Sequence, residues 1–266
     1  MLGRVICVLA WTLPCMLIQA CLLRLPGRAK ERFAMYYWRG MRRILGMRIT
    51  VIGSPAQARP VVFVVNHSSW LDIIALGSVL PGCFVAKGEI AGWPVINLIA
   101  RLGRTVFVSR AKSGVARERG DITARLAQDD NIILFPEGTT SDGNRILRFQ
   151  TAFLAVAQAR PAPFIQPVTL VYDQINGLPV RKRDRPLLAW YGEMDLAAHF
   201  RGLGRLASFH ATLVLDAPIP PASFSDRKQL SAALEARLSA TAAALRQGRR
   251  VTPLSTPLPP AGNSAG

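Results

Sequence analysis

Val5 to Leu23 is a run of 19 residues without a charge. That is close to the length an α-helix needs to cross a bilayer. Pro14 and Gln19 interrupt its apolarity, which leaves a tilted, kinked or half-embedded helix open. Only Arg4 precedes the run, whereas eight basic residues and a single acidic one, Glu31, lie between Arg24 and Arg48. The basic flank places everything after the run on the cytoplasmic face of a membrane. Two other readings compete. Ile18-Gln19-Ala20-Cys21 loosely resembles a lipoprotein cleavage site, but the charge follows the run instead of preceding it, as a signal peptide would require. The run also suits a buried helix of a soluble domain.

The flanking charge belongs to a wider excess. The chain has 266 residues, 33 Lys+Arg against 16 Asp+Glu, and a formal net charge of +17. Half of it is hydrophobic, which excludes general disorder. So strong a basic balance points to anionic partners: nucleic acid, an anionic membrane surface or phosphorylated substrates. A mean hydropathy of +0.23 with a pI near 11.2 fits a membrane-surface protein better than a nucleic-acid module. Between residues 31 and 47, Phe33, Tyr37, Trp38, Met41, Ile44 and Leu45 share one helical side, and Arg32, Arg39, Arg42 and Arg43 the other. Such a helix suits the membrane interface, or packs its stripe on the protein's own body. Three of the four cysteines, Cys7, Cys15 and Cys21, lie in the apolar run; with Cys83 they form neither a CxxC pair nor a zinc spacing.

Beyond residue 48, short apolar runs alternate with helical patterns. Arg48–Ile52, Pro60–Val65, Cys83–Ala86, Thr105–Ser109, Asn131–Phe135, Phe164–Tyr172 and Ala211–Leu215 read as strands. Ser69–Val79, Trp93–Leu102, Val115–Gln128, Phe149–Ala159 and Arg227–Gln247 read as helices. The alternation predicts an α/β fold: a mainly parallel central sheet flanked by helices, behind an N-terminal membrane-anchoring helical segment. The expected division is an anchor and basic interfacial helix over 1–48, a catalytic-type domain over 49–250, and a disordered Pro/Ser/Gly/Ala-rich tail over 251–266.

Three constellations carry chemistry. Asn66-His67-Ser68-Ser69-Trp70-Leu71-Asp72 follows the apolar strand Val61–Val65, at a strand end where α/β proteins place ligands. A neutral imidazole beside a carboxylate is a competent general base near neutral pH. The five-residue offset allows the pair only if His67 lies in the turn before the helix and Asp72 in its first turn. Ser69-x-x-Asp72 is equally a capping box, which would leave Asp72 a helix cap. Phe135-Pro136-Glu137-Gly138-Thr139 and the following Thr140 to Arg145 also leave an apolar strand, and offer backbone N–H groups and hydroxyls to a polar headgroup. Arg110 ends a third apolar strand, where it could reach a phosphate or remain solvated.

Together these residues resemble the glycerolipid acyltransferase family. Asn66-His67-x4-Asp72 matches its NHx4D motif and Phe135 to Thr139 its FPEGT motif. Arg110 ends a segment similar to its acceptor-binding block, and Pro167 resembles its fourth block, so the likeness covers about residues 48 to 172. The resemblance implies an O-acyltransferase that moves a fatty acyl group from acyl-CoA or acyl-ACP to the free hydroxyl of a lyso-lipid, in the first instance 1-acyl-sn-glycerol-3-phosphate. His67 would be the general base and Asp72 its orienting partner; Arg110, Glu137, Gly138 and Thr139 would bind the acceptor. No metal and no cofactor beyond the acyl donor is implied. The implied partners are the lyso-lipid, acyl-CoA or acyl carrier protein, and an anionic membrane surface, without nucleic acid.

The pattern departs from the family in two places. Phe149-Gln150-Thr151-Ala152 stands where Phe-Lys-x-Gly is common, and Ser109-Arg110 where Asp-Arg is usual. The missing Lys removes a positive charge from the acceptor region. The segment from Phe135 to Arg145, with Trp190-Tyr191-Gly192-Glu193-Met194-Asp195 and His199, is similar to the branch that acylates lyso-ornithine lipid, an acceptor without phosphate. The alternative from another class is a non-catalytic membrane lipid-binding protein on the same fold. The Arg181–Arg185 cluster reads as a solvated loop, with contact to CoA phosphates or lipid headgroups the next reading, and His199 and His210, lacking a partner pattern, as structural.

Overall fold

The structure, a computed structural model, describes residues 2–87, 94–108, 122–221, 223–224 and 226–259. The strands are β1 (Met47–Ile52), β2 (Val61–Val65), β3 (Cys83–Lys87), β4 (Val106–Val108), β5 (Ile132–Leu134), β6 (Phe164–Ile175), β7 (Leu178–Pro179) and β8 (Phe209–Leu215). The helices are α1 (Leu2–Leu22), α2 (Ala29–Ile44), α3 (Leu71–Gly77), α4 (Pro94–Leu102), α5 (122–127, its described part), α6 (Leu196–Leu203) and α7 (Arg227–Arg246). The sheet order is β1-β8-β6-β2-β5-β3-β4, with β7 on β6. The pairs β1/β8, β2/β5, β2/β6, β3/β4 and β3/β5 are parallel, as expected, whereas β6 is antiparallel to β8 and to β7.

All five residues of β2 are buried. Because side chains alternate across a strand, a sheet covered on both faces needs an unbroken apolar run at its centre. Val61, Phe63 and Val65 point into one core with Leu71 and Ile74 of α3 and Met41 of α2. Val62 and Val64 point into the other, with Leu230, Leu234 and Leu238 of α7.

Several local expectations change. Phe149–Ala159 is helical only as a 3-10 turn over Phe153–Gln158. The backbone N–H of Phe149 donates to Glu235 Oε2 (2.8 Å) and that of Gln150 to Pro136 O (2.9 Å), so these donors are committed to other elements. The helix α6 was not anticipated; Asp195 caps it by accepting from Ala198 N at 2.7 Å. A 3-10 turn over Lys182–Leu187 occupies part of the expected solvated loop. The tail expected to be disordered from 251 packs on the body as far as it is described. Leu254 N donates to Asp216 Oδ1 (2.7 Å), Arg237 Nη2 to the Thr252 carbonyl, and Leu258 meets the α7 core. The buried Asp216 carboxylate, already paired with Arg237, supplies the anchor that composition could not indicate.

The apolar run forms α1, and among the described residues it is the one helix long and apolar enough to span a membrane. One side is docked on the body along its length. Arg4 donates to the carbonyls of Leu203 (2.9 Å) and Leu206 (2.7 Å), Trp11 Nε1 to that of Tyr37 (3.0 Å), and Gln19 Nε2 to that of Leu102 (2.8 Å). The opposite side exposes Leu2, Ile6, Leu9, Leu13 and Leu17. The α2 stripe packs inward: Met41 and Leu45 are core residues, and Tyr37 and Trp38 pack against them.

Two tryptophans lock these helices together. A Cβ on Gly40 of α2 would lie 2.1 Å from the Trp11 ring, and one on Gly77 of α3 would lie 2.4 Å from the Trp38 ring. Glycine is required at both places because an indole occupies the space. Gly77→Leu should therefore overpack the α2–α3 contact, costing about 1–3 kcal/mol, and calorimetry should record a lower melting temperature.

Candidate active site

The site begins where β2 ends. Asn66 donates from Nδ2 to Leu170 O (2.9 Å) and accepts from Leu170 N at Oδ1 (2.8 Å), so its side chain continues the β2–β6 pairing beyond the strand. This fixes the turn holding His67, and α3 then starts at Leu71 with Asp72 in its first turn. Both conditions the five-residue offset required are met. His67 Nδ1 lies 2.8 Å from Asp72 Oδ2. That oxygen also accepts from the backbone N–H of Ser68 (2.7 Å) and Ser69 (3.0 Å). Asp72 thus does what both readings of the motif demanded: it reaches back to the helix start and it orients the histidine.

The other Asp72 oxygen accepts from the Tyr172 hydroxyl at 2.7 Å. Asp72 is fully buried. Burial raises the Tyr172 pKa, and the Asp72 charge raises it further, so the phenol stays a donor. Tyr172 was missed in the sequence because it is 100 residues away and joins the site only through the β6–β2 pairing. With Nδ1–H committed to the carboxylate, His67 presents an Nε2 lone pair, the tautomer a general base needs. The imidazole stacks on Phe135 at a centroid distance of 3.9 Å and 13° between planes, which fixes the plane in which that lone pair points.

The FPEGT segment closes on His67 from the other side. Glu137 Oε1 accepts from His67 N (2.6 Å), Oε2 from Leu147 N (2.7 Å), and Ser141 N donates to His67 O (2.9 Å). Gly138 has φ of +65°, and a Cβ there would lie 2.5 Å from Gln150 Nε2. Gln150 itself donates to the Glu137 carbonyl (3.1 Å), which places a neutral amide at this turn. Thr139 is exposed beside it. Arg110 lies outside the described residues. The two other histidines do have partners. His199 Nδ1 accepts from Trp70 Nε1 (3.0 Å), and burial lowers its pKa, keeping it neutral. His210 lies 2.6 Å from Asp173 and 2.9 Å from Thr50 Oγ1.

Residues 48–171 match the family pattern described as Acyltransferase. A lyso-ornithine lipid O-acyltransferase of Brucella abortus (strain 2308) is 35% identical over 88% of this chain and 90% of its own length. The chain belongs to the glycerolipid acyltransferase family. A 1-acyl-sn-glycerol-3-phosphate acyltransferase of Neisseria gonorrhoeae is 33% identical over 46% of this chain and 49% of its own. The fold is shared with the 1-acyl-sn-glycerophosphate acyltransferase PlsC of Thermotoga maritima. That structure is superposed at a TM-score of 0.62 over 94% of this chain and 100% of the other, at 22% identity.

In this acyltransferase the two buried carboxylates differ in their surroundings. Asp72 accepts four hydrogen bonds, whereas Glu137 accepts two and is pushed up to about 7, chiefly by desolvation and secondarily by the Asp72 charge. The folded protein therefore binds a proton at Glu137 more tightly than the unfolded chain, whose value is near 4.5. The resulting stability is fully present below 4.5 and is lost as pH rises through about 7. Melting temperatures measured from pH 5 to pH 8 should fall with rising pH, and Glu137→Gln should flatten that slope.

Proposed function

We propose that this acyltransferase esterifies the free hydroxyl of a lyso-lipid with an acyl group from acyl-CoA or acyl-ACP, His67 serving as general base. The observation that carries this is the His67 Nδ1 to Asp72 contact in a fully buried, fully partnered carboxylate site. His67 Nε2 takes the proton of the acceptor hydroxyl as its oxygen attacks the thioester carbonyl. The new C–O bond forms, the C–S bond breaks, and the leaving thiolate takes the proton back from the imidazolium, which Asp72 stabilises. A thioester is already activated, so a base and positioning suffice and no cofactor is invoked.

The favoured acceptor is a lyso-ornithine lipid, an N-(3-hydroxyacyl)ornithine with a carboxylate and an ammonium but no phosphate. Two observations support it: the likeness to the Brucella protein along almost the whole chain, and the neutral Gln150 where a lysine is common. The second reading is 1-acyl-sn-glycerol-3-phosphate, supported by the Neisseria relative over a shorter stretch. A non-catalytic lipid-binding role has no support from the assembled dyad. Purified protein should turn over lyso-ornithine lipid at least about tenfold faster than 1-acylglycerol-3-phosphate, and His67→Ala should lower kcat by about 10²–10⁴-fold. Full activity in His67→Ala would sink the mechanism, and the reverse acceptor preference would hand the substrate to the second reading.

The protein would work at the cytoplasmic face of a membrane. The exposed α1 stripe would enter the acyl region, and the net +7 between Arg24 and Arg48 would meet anionic headgroups. Leu13→Asp with Leu17→Asp, at positions 60% and 73% exposed, should abolish co-flotation with phosphatidylglycerol vesicles while leaving the melting temperature unchanged.

A further inference from the structure

Two arginines beside the catalytic turn have no assigned role. Arg185, in the 3-10 turn Lys182–Leu187, donates to Asn144 Oδ1 at 2.5 Å. Arg246, the last residue of α7, donates to the Asn144 backbone carbonyl at 3.0 Å. Both guanidinium groups are partly buried and converge on one residue of the FPEGT loop. The loop is held in place around them. Ser141 N donates to His67 O and Trp190 N to Ser68 O, and a Cβ on Gly143 would lie 3.6 Å from Ala189 Cβ and 3.9 Å from Arg185 Cβ.

The carboxylates whose charge reaches Arg246 are committed elsewhere. Asp142 accepts from Asn144 N (2.9 Å) and from Asn144 Nδ2 (2.8 Å). Glu137 accepts from the backbone of His67 and Leu147. Among the described residues neither arginine is within salt-bridge distance of a carboxylate. Each guanidinium has five N–H donors, and one hydrogen bond leaves most of them free. Burial first, and the neighbouring Arg185 charge second, push Arg246 down to about 10, against the opposing pull of Asp142 and Glu137.

We infer that Arg185 and Arg246 form an oxyanion subsite that holds the acidic group of the lyso-lipid headgroup while His67 addresses its hydroxyl. The inference rests on the acyltransferase reading above and adds to it the residues that hold the acceptor's charge. Planar guanidinium forks suit a carboxylate or a phosphate equally. The spacing is short on both sides. Asn144 is three residues after Ser141, which is bonded to His67, and three residues reach at most about 11 Å. In a lyso-ornithine lipid the hydroxyl carbon and the carboxylate are separated by one amide and its two flanking carbons. In 1-acylglycerol-3-phosphate, one methylene and one oxygen separate the hydroxyl carbon from phosphorus. The lyso-ornithine carboxylate reaches two atoms further from the hydroxyl carbon than the phosphorus does, and Gln150 adds no charge at the Gly138 turn.

The test separates acceptor from donor and binding from turnover. Steady-state kinetics on the full chain would use lyso-ornithine lipid, its carboxyl methyl ester and 1-acylglycerol-3-phosphate. Arg185→Gln should raise KM for an anionic acceptor by about tenfold or more. It should leave donor KM within about twofold and should not move KM for the methyl ester; Arg185→Lys, which keeps the charge, should fall between. Arg183→Gln, at a neighbouring arginine 75% exposed, should match wild type. A rise in donor KM alone, or no change in a protein that melts normally, would overturn the subsite. Titration calorimetry on His67→Ala with the same lipids in detergent micelles needs no turnover. If wild type acylates none of them, the function reading fails, and loss of lipid binding on adding Arg185→Gln still decides this one.

Discussion

A single buried charge organises the catalytic end of this molecule. The Asp72 carboxylate has no exposure to solvent, and an ionised carboxylate so placed is tolerable only if its lone pairs are met by donors. Four are supplied: the imidazole Nδ1 of His67, the backbone N–H groups of Ser68 and Ser69, and the Tyr172 hydroxyl. Three come from the turn that leaves β2, and the fourth crosses from β6. The requirement ties the turn, the first helical turn of α3 and the sheet order into one arrangement, because Tyr172 reaches Asp72 only while β6 lies beside β2. The same bonds fix which nitrogen of His67 faces outward. Orientation of the imidazole and satisfaction of the carboxylate are one problem with one solution.

Glu137 addresses the complementary difficulty of holding the backbone of His67. The Glu137 side chain, accepting the His67 amide at one oxygen and the Leu147 amide at the other, bridges the two loops that line the site. The consequence is electrostatic tension. Two carboxylates are buried within reach of one another, and the one with fewer donors is displaced toward neutrality. The family motif therefore encodes loop closure at Glu137, and that closure leaves Thr139 exposed and the Gly138 turn and Asn144 partly so.

How much of this the sequence carried depended on whether the signal was local. The unbroken apolar run Val61–Val65 announced a strand covered on both faces, and the turn-then-helix requirement on His67 and Asp72 could be written down before any coordinates. Tyr172, the partner of Asp72, and Asp173, the partner of His210, are brought in by strand pairing across long stretches of chain and leave no spacing to read. The antiparallel run of β8 beside β6 was likewise invisible, since an apolar strand carries no mark of its neighbour's direction. Phe149–Ala159 has helical composition, yet hydrogen bonds from Phe149 and Gln150 to distant acceptors override it. The ordered start of the tail depends on Asp216, a residue whose burial only the folded chain creates.

The chain of indoles and glycines gives the basic excess a mechanical meaning. Trp11 of α1 occupies the space over Gly40 of α2, and Trp38 of α2 occupies the space over Gly77 at the end of α3, the helix whose first turn carries Asp72. Packed interiors are stiff, so α1 cannot slide relative to α3 without displacing an indole. A helix that presents Leu2, Ile6, Leu9, Leu13 and Leu17 outward is therefore held at a fixed angle to the His67–Asp72 pair. If that stripe lies in the acyl region and the basic collar in the headgroups, the catalytic turn stands at a set depth relative to the bilayer. The free hydroxyl of a lyso-lipid sits at a similarly fixed depth, close to its headgroup. Rigid coupling then supplies part of the alignment that a soluble enzyme must obtain from its substrate pocket alone.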